Sequence, residues 1–536
     1  MAKILVCDPL APAGLDILRE AGEVIVETNL DEAELAEAAS DVQAMVVRSG
    51  TRVTARVLQA ASSLKIIARA GVGVDNIDVS EATRRGVVVV NSPVGNTLAA
   101  AEHAMALMLA SSREIPQAFA DLKAGKWSRK AHIGRQLFDK TLGIVGLGKV
   151  GSEVARRAAA FGMKVLAYDP YISPEQADAA GVTLVETLQD LAASADYLSL
   201  HCALTPDTEQ MVDAELLRAM KPTATLVNTA RGGLVDEDAL AEALKTGEIA
   251  AAALDVFARE PTHNTALLEL ENVIATPHMG ASTREAQVNV AVDAARQVVD
   301  VVEGRLPRWP VNAPPLSPEA LDAVRPYLGL VERLGLVARS LMSGAPGRIE
   351  LAVANDLRGE DLQYLTGQLL VTILGRIIDR KLNYINASAA ARERGIEVAQ
   401  AKTESSRGYS HWIEVTVHTE QGDTCVAGAL FDNAQGRIVR VNDYRLELVP
   451  RQTLLLVWNA DPKTPGFVGK IGVLLGEAGI NITGIQVASN DLDGVGLMAA
   501  TVAGSIPNDV AEQMRGLPGV VRVETADMEI ENSTAE

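Results

Sequence analysis

Thr141-Leu142-Gly143-Ile144-Val145-Gly146-Leu147-Gly148-Lys149-Val150-Gly151 is the stretch on which the fold turns. The uncharged run Thr141–Val145 reads as a buried strand, and Ser152–Phe161 reads as a helix directly behind the glycines. A bare G-x-G-x-x-G means little in a chain with 43 glycines; between a strand and a helix it has a mechanism. Gly146 permits the tight turn, Gly148 lets the backbone approach a pyrophosphate, and Gly151 lets the helix pack on the strand. The N-terminus of that helix offers unpaired N–H groups to phosphates, and Lys149 and Val150, inside the loop, are expected to bind the cofactor with the glycines. The next strand, Met163–Tyr168, ends in Asp169 at about the 20-residue distance such loops require. A carboxylate there accepts hydrogen bonds from both ribose hydroxyls and repels the extra phosphate of NADP. The cofactor implied is NAD.

Outward from the loop, the alternation of strands and helices continues in both directions. Towards the N-terminus, strands are predicted at Ile4–Cys7, Val24–Glu27, Ala44–Arg48, Lys65–Arg69 and Val87–Asn91, with helical patterns such as Gly14–Glu20 and Asp31–Ala38 between them. That order implies a parallel sheet with helices on both faces. A long apolar helix, Thr97–Ser112, leads into the second series, which runs from Thr141 to about Thr276. Two doubly wound, Rossmann-like units in tandem predict a cleft between them. Near residue 310 the proline-rich run Leu306–Pro315 reads as a linker. Two amphipathic helices and a strand-rich stretch, His411–Val449, follow, with turns at Gln421-Gly422-Asp423 and Asn433-Ala434-Gln435-Gly436. The last segment alternates strand, helix, strand, strand, helix, strand: Leu454–Val457, Val468–Ala478, Ile482–Ala488, Leu497–Val502, Asp509–Gly516 and Val520–Glu524. That βαββαβ order is the ferredoxin-like split unit, expected to bind a small molecule or to assemble.

At 536 residues the chain is long enough for several domains, and at 3% aromatics its cores must be built from Ala, Val, Leu and Ile. A formal charge of −20 argues against nucleic acid and acidic membranes as partners. An acidic protein that handles an anionic substrate must then gather positive charge locally. Cys7, Cys202 and Cys425 lie far apart and form no C-x-x-C pair, as in a reducing cytosol. Residues 1–8 read as a strand beginning, and no apolar run reaches bilayer length. A soluble cytoplasmic protein with no bound metal is expected.

Taking a hydride from a secondary alcohol requires a base for the hydroxyl proton, an acidic partner for that base, and a cation to hold the substrate. Histidine suits the first role and arginine the last. Of seven histidines, His278 stands out because it follows an apolar strand, Val273–Thr276, at the strand end where ligands bind in such sheets. Further stretches make the sequence recognisable: Arg69-Ala70-Gly71-Val72-Gly73-Val74-Asp75-Asn76-Ile77-Asp78, Asn228–Asp236, and Ala253–Phe257 followed by Glu260-Pro261. With the glycine loop and the His278 segment, they resemble the D-isomer-specific 2-hydroxyacid dehydrogenases over essentially the whole chain, in the long form with C-terminal regulatory domains.

The resemblance implies Arg231 as carboxylate anchor, His278 as general acid/base and Glu260 as its partner. A carboxylate beside imidazole stabilises the protonated ring, so it can hold the hydroxyl proton. It also implies Thr229, Ala230, Arg231, Asp255, His278, Gly280 and Ala281 on the nicotinamide side of the cofactor, and Cys202 on the adenine side. Arg48, Arg69, Gly71, Val72 and Asn96, with Arg231, are implied to hold the substrate, and Arg129 and Lys130 to reach a neighbouring subunit. The implied substrate is 3-phosphoglycerate, oxidised in serine biosynthesis, and the implied assembly is a homotetramer. The domains follow as residues 1–96 for substrate, 97–284 for NAD, 285–312 returning to the first, 313–450 intervening, and 451–536 an ACT-like regulatory module. In that module Asn459 and Asn481 match the pocket expected for a serine effector, while Lys463 stands where an acidic residue is usual. Two other readings fit the scaffold. A glyoxylate or hydroxypyruvate reductase is disfavoured by Arg48, Arg69 and the long extension. A nucleotide-sensing corepressor is disfavoured by the lack of disordered tails.

Overall fold

Around Thr141–Val145 a seven-stranded sheet assembles in a computed structural model that describes residues 1–314, 318–354, 357, 359–403, 408–409, 411–431, 435–461, 465–489 and 494–528. From one edge its strands are Val273–Ala275, Ala251–Leu254, Thr225–Asn228, Tyr197–Leu200, Thr141–Val145, Lys164–Tyr168 and Thr183–Leu184. Every neighbouring pair is parallel. Helices cover both faces, so central strands such as Tyr197–Leu200 and Thr225–Asn228 are buried at every position and show no polar alternation. The chain winds one way from Thr141–Val145, then reverses into Tyr197–Leu200. At that reversal the following loops part and open a crevice at the C-terminal ends of the strands.

The first sheet is also fully parallel, in the order Gly22–Val26, Ala2–Val6, Ala44–Val47, Ile66–Arg69 and Val88–Val90. Helix Thr97–Ser112 leaves it and packs Ala101, Ala104, Met105 and Met108 into the core of the larger sheet. Helix Arg284–Val302 brings the chain back, its Val290, Ala294 and Val298 joining Ile4, Leu18, Val46 and Ile66 in one cluster. Close approach there requires Gly14: a Cβ on it would lie 2.9 Å from the Ala291 Cβ. Asn312 then pins the returning chain, accepting the Val89 N–H at 2.8 Å and donating to the Val87 carbonyl at 2.9 Å.

The loop helix begins earlier than its sequence pattern implies, at Lys149, because extended Gly148 caps it and Gly151 lies inside its first turn. A larger difference lies beyond the linker. Strand Pro346–Ala354 sits between helices Pro318–Leu341 and Gly359–Leu374, where only helices were expected. It is a central strand, flanked by Glu397–Lys402 in parallel and Trp412–Thr419 in antiparallel. Its charged Arg348 and Glu350 pair with each other at 2.9 Å, so a strand with Ile349, Leu351 and Val353 fully buried carries a polar-looking sequence. Gly422–Phe431, Gln435–Val441 and Tyr444–Leu448 complete this sheet. A hairpin does turn at Glu420 and Gln421, whereas Asn433 and Ala434 of the other expected turn lie outside the described residues. The last segment forms a four-stranded antiparallel sheet ordered Ile482–Ser489, Gly496–Val502, Thr453–Asn459 and Val520–Asp527. Helices Phe467–Glu477 and Asn508–Arg515 pack on one face. Leu454, Leu456 and Trp458 point the other way, into the same apolar cluster as Leu334 and Leu369 of the preceding domain's helices and Val415 of its sheet.

Candidate active site

The glycine loop stands at the reversal point of the larger sheet. Gly146 has φ +89°, and a Cβ there would lie 2.8 Å from the Cys202 amide nitrogen. A Cβ on Gly151 would lie 2.1 Å from the Gly146 carbonyl oxygen. Packing alone therefore dictates these two glycines. Gly148 differs: nothing lies within 4 Å of a Cβ built on it, and it starts helix Lys149–Ala160 without any side-chain cap. Uncapped N–H groups facing open space suit a pyrophosphate. Asp169 accepts the Leu147 N–H at 2.8 Å and the Tyr171 N–H at 2.9 Å, tying the loop to the second strand. A carboxylate has about four acceptor positions, so capacity remains for ribose hydroxyls. The Lys149 ammonium sits 4.8 Å from the centre of the Trp309 ring, on the returning segment. Burial lifts the Cys202 thiol to about 11, so Cys202 itself faces the crevice as an uncharged group.

On the opposite side, the Asn228 side chain accepts the Ala230 N–H at 3.0 Å and donates to the Arg231 carbonyl at 2.9 Å, bracing the turn that carries Thr229. The Thr229 hydroxyl is buried and has no partner among the described residues, as expected of a group that meets a ligand. These features together fit a dinucleotide.

Arg231 projects across the crevice from this turn. Its Nε donates to Asp75 of the first domain at 3.0 Å and its Nη1 to the Ala230 carbonyl at 2.7 Å. Arg69 lies close by, with its guanidinium over Gly71, where a Cβ would stand 1.7 Å from Nη1. Burial, with the Arg231 and Arg48 charges adding to it, pulls Arg69 down to about 10. It remains a cation at neutral pH, and its buried Nε has no partner among the described residues. Asp8 fixes the Arg48 backbone by accepting its N–H at 2.6 Å, while Arg48 Nη1 donates to the Pro9 carbonyl at 3.3 Å. Asn91 donates to the Val72 carbonyl at 2.6 Å. Asn96 precedes helix Thr97–Ser112 without capping it through its side chain. A local concentration of cations in an acidic protein is thus present.

His278 follows strand Val273–Ala275, with φ +49°. Its Nδ1 is 2.7 Å from Glu260 Oε2, and Glu260 is itself held by the Phe257 N–H at 3.1 Å. That pairing leaves Nε2 for a proton in the crevice. His278 is 44% exposed, open enough to meet a small molecule. Behind it, buried Asp255 accepts the Met279 N–H at 2.9 Å and the Gly280 N–H at 2.8 Å. Ala281 follows in the same turn.

Comparison with known proteins supplies the remaining fact. Residues 105–280 match the NAD-binding domain of the D-isomer-specific 2-hydroxyacid dehydrogenases, and residues 323–442 the intervening domain of D-3-phosphoglycerate dehydrogenase. The D-3-phosphoglycerate dehydrogenase of Synechocystis sp. is 45% identical over 97% of this chain and 94% of its own. That of Methanocaldococcus jannaschii is 42% identical over 97% and 98%. The chain belongs to the D-3-phosphoglycerate dehydrogenase family.

As a member of that family, the chain is an NAD-dependent oxidoreductase. Its catalytic half has a fold used for other substrates too. A glyoxylate reductase from Paecilomyes thermophila superimposes with TM-score 0.54 at 31% identity, covering 58% of this chain and 98% of its own. The D-lactate dehydrogenase of Escherichia coli does so with TM-score 0.52 at 28% identity, covering 58% and 99%. Not every residue named from the sequence lies in the crevice. Arg129 and Lys130 are exposed on the segment after Trp127. In the last sheet Asn459 borders a cavity of about 150 Å³ with Phe467, Val468 and Met498. Asn481 is exposed and is not among the residues lining that cavity, and Lys463 lies outside the described residues. Sequence reading missed Asp8, Asp75 and His103. Asp75 had a signal, since it sits within the quoted Arg69–Asp78 stretch; the others meet their partners only through folding.

Proposed function

We propose that Arg231, His278 and Glu260 carry out the oxidation of D-3-phosphoglycerate to 3-phosphohydroxypyruvate, with Arg48 and Arg69 holding the phosphate. NAD, held by the glycine loop and Asp169, supplies the acceptor for the hydride. The Arg231 fork holds the substrate carboxylate, with the backbone at Gly71 and Val72 beside it. His278 Nε2 takes the hydroxyl proton, and Glu260, 2.7 Å from Nδ1, stabilises the imidazolium that results. One observation carries the reading: an oriented His–Glu pair beside a glycine loop, opposite three arginines. Near full-length relatives choose the substrate, since the catalytic half alone is shared with reductases of smaller acids.

Purified protein supplied with NAD and 3-phosphoglycerate should form NADH at alkaline pH in the presence of a product trap. In the reverse direction, a higher kcat/KM for glyoxylate or hydroxypyruvate than for 3-phosphohydroxypyruvate would overturn the assignment. The chain's place is inferred to be serine biosynthesis in the cytoplasm, as a homotetramer with L-serine as effector. Exposed Trp127, Ile133 and Phe138 support an assembly surface, and the cavity at Asn459 supports a small effector. Sedimentation at assay concentration and a serine titration of the initial rate test these two points.

A further inference from the structure

His103 stands on the inward side of helix Thr97–Ser112, one of two helices that cross between the first two domains. Its side chain is 16% exposed, and its Nε2 lies 3.1 Å from Asp255 Oδ1 and 3.2 Å from the Thr276 hydroxyl. Thr276 donates to the same Oδ1 at 2.6 Å. Asp255, at 1% exposure, thus accepts from His103, from Thr276, and from the backbone N–H groups of Met279 and Gly280. Its own carbonyl accepts the His278 N–H at 2.8 Å. Three consecutive residues, 278 to 280, are therefore hung on one aspartate. Gly280 keeps this approach close: a Cβ there would stand 3.1 Å from Asp255 Oδ2, a tight contact, and 3.8 Å from the His103 ring, an ordinary one.

The arrangement matters because His278 sits at φ +49°, a backbone conformation that costs a non-glycine residue energy and persists only where its surroundings enforce it. The clamp that enforces it is a buried carboxylate, which is costly to bury unless hydrogen-bonded and paired. His103 is the only cation-forming side chain found against Asp255 among the described residues. Truncating it would leave the carboxylate with neutral donors only. We propose that His103 is a positioning residue: acting through Asp255, it holds the 278–280 turn so that the His278 ring meets the substrate hydroxyl.

The proposal rests on His278 being the acid/base, and the two ideas fail separately. If His278→Ala keeps its turnover, that assignment falls whatever His103 does. For His103 itself, His103→Leu should lower kcat about tenfold or more while KM for 3-phosphoglycerate stays within about threefold, since the binding arginines are untouched. In the unliganded enzyme, hydrogen exchange at the Met279 and Gly280 amides should speed up, because they lose a fixed acceptor. His103→Gln, which keeps an N–H at the reach of Nε2, should restore most of kcat and of the protection. A folding defect would lower the amount of active enzyme and would not be reversed by glutamine while leaving KM in place. Should the leucine variant not fold, Thr276→Val probes the same carboxylate and should show the same faster exchange. Unchanged exchange in either variant, a smaller loss of kcat, or no rescue by glutamine overturns the proposal.

Discussion

His278 and Arg231 face the crevice with different constraints. The imidazole is fixed at Nδ1 by Glu260 and works through its other nitrogen, so its removal should cost the proton transfer and little else. We expect His278→Ala to lower kcat by about 10²–10⁴, the range of positioned acid–base catalysis, while NAD titrated by protein fluorescence binds with nearly the same Kd. Arg231 is partly engaged already. With Nε on Asp75 and Nη1 on a carbonyl, two of its five N–H donors are taken, and three remain to grip a carboxylate. Arg48 is tied to the chain by Asp8 and Pro9, and its charge is solvent-facing enough to meet a phosphate. Arg48→Ala should raise KM for 3-phosphoglycerate by about tenfold, roughly 1.4 kcal/mol, and should leave KM for D-glycerate much less changed. Equal effects on both acids in a steady-state comparison would remove Arg48 from the phosphate site.

Elements place these residues, and their ends carry much of the specification. Helix Val79–Arg85 illustrates the energetics. Asp78 caps it by accepting the Glu81 N–H, and Gly86 closes it in the left-handed conformation. Glu81 is buried in the first turn. Burial raises its carboxyl, but hydrogen bonds from Arg85 and Arg84 outweigh that and hold it below its ordinary value of about 4.5. A depressed folded-state value means that stabilisation is complete above the unfolded value and is lost as pH falls through the folded one. Glu81→Gln should therefore cost about 1–3 kcal/mol near neutral pH, the range for hydrogen bonds to charged groups. Arg84 and Arg85 are partly solvent-exposed, which favours the lower end. The gap between variant and parent in urea unfolding should close in acid below about pH 4.

Across the whole molecule, the C-terminal half is not merely tethered to the catalytic half. Asn383 donates to the Gly86 carbonyl at 2.7 Å, and Asn386 reaches the Arg84 carbonyl at 3.5 Å. Ile385 and Tyr384 pack into the core of the first sheet. The contact falls on the end of helix Val79–Arg85, which lies in the domain carrying Arg48 and Arg69. Cutting the two asparagine side chains back, Asn383→Ala with Asn386→Ala, should leave each half folded and loosen their docking. The expected result is a single thermal transition splitting into two in calorimetry, with faster proteolysis in the Leu306–Pro315 stretch; one unsplit transition would show that apolar packing alone holds the halves together.

Much of this was legible in the chain alone. The glycine loop, Asp169 and the alternating runs determined two parallel, doubly wound sheets, because a strand covered on both faces must be apolar throughout and a phosphate-binding turn must spare its Cβ atoms. Helix Thr97–Ser112 and strand Thr141–Val145 carry such continuous patterns that their limits needed no further information. Strand Pro346–Ala354 escaped notice because Arg348 and Glu350 satisfy each other across a spacing of two, which hides its apolar face. His103 and Asp8 were decided by tertiary structure only, and so was the partner of Asp75. A lone histidine on an apolar helix has no local reason to matter until folding brings it within 3.1 Å of an aspartate 152 positions away. Periodicity reports what a side chain faces, not which partner meets it there, and the charge pairs of this crevice join residues far apart in the chain, Arg231 and Asp75 even across two domains.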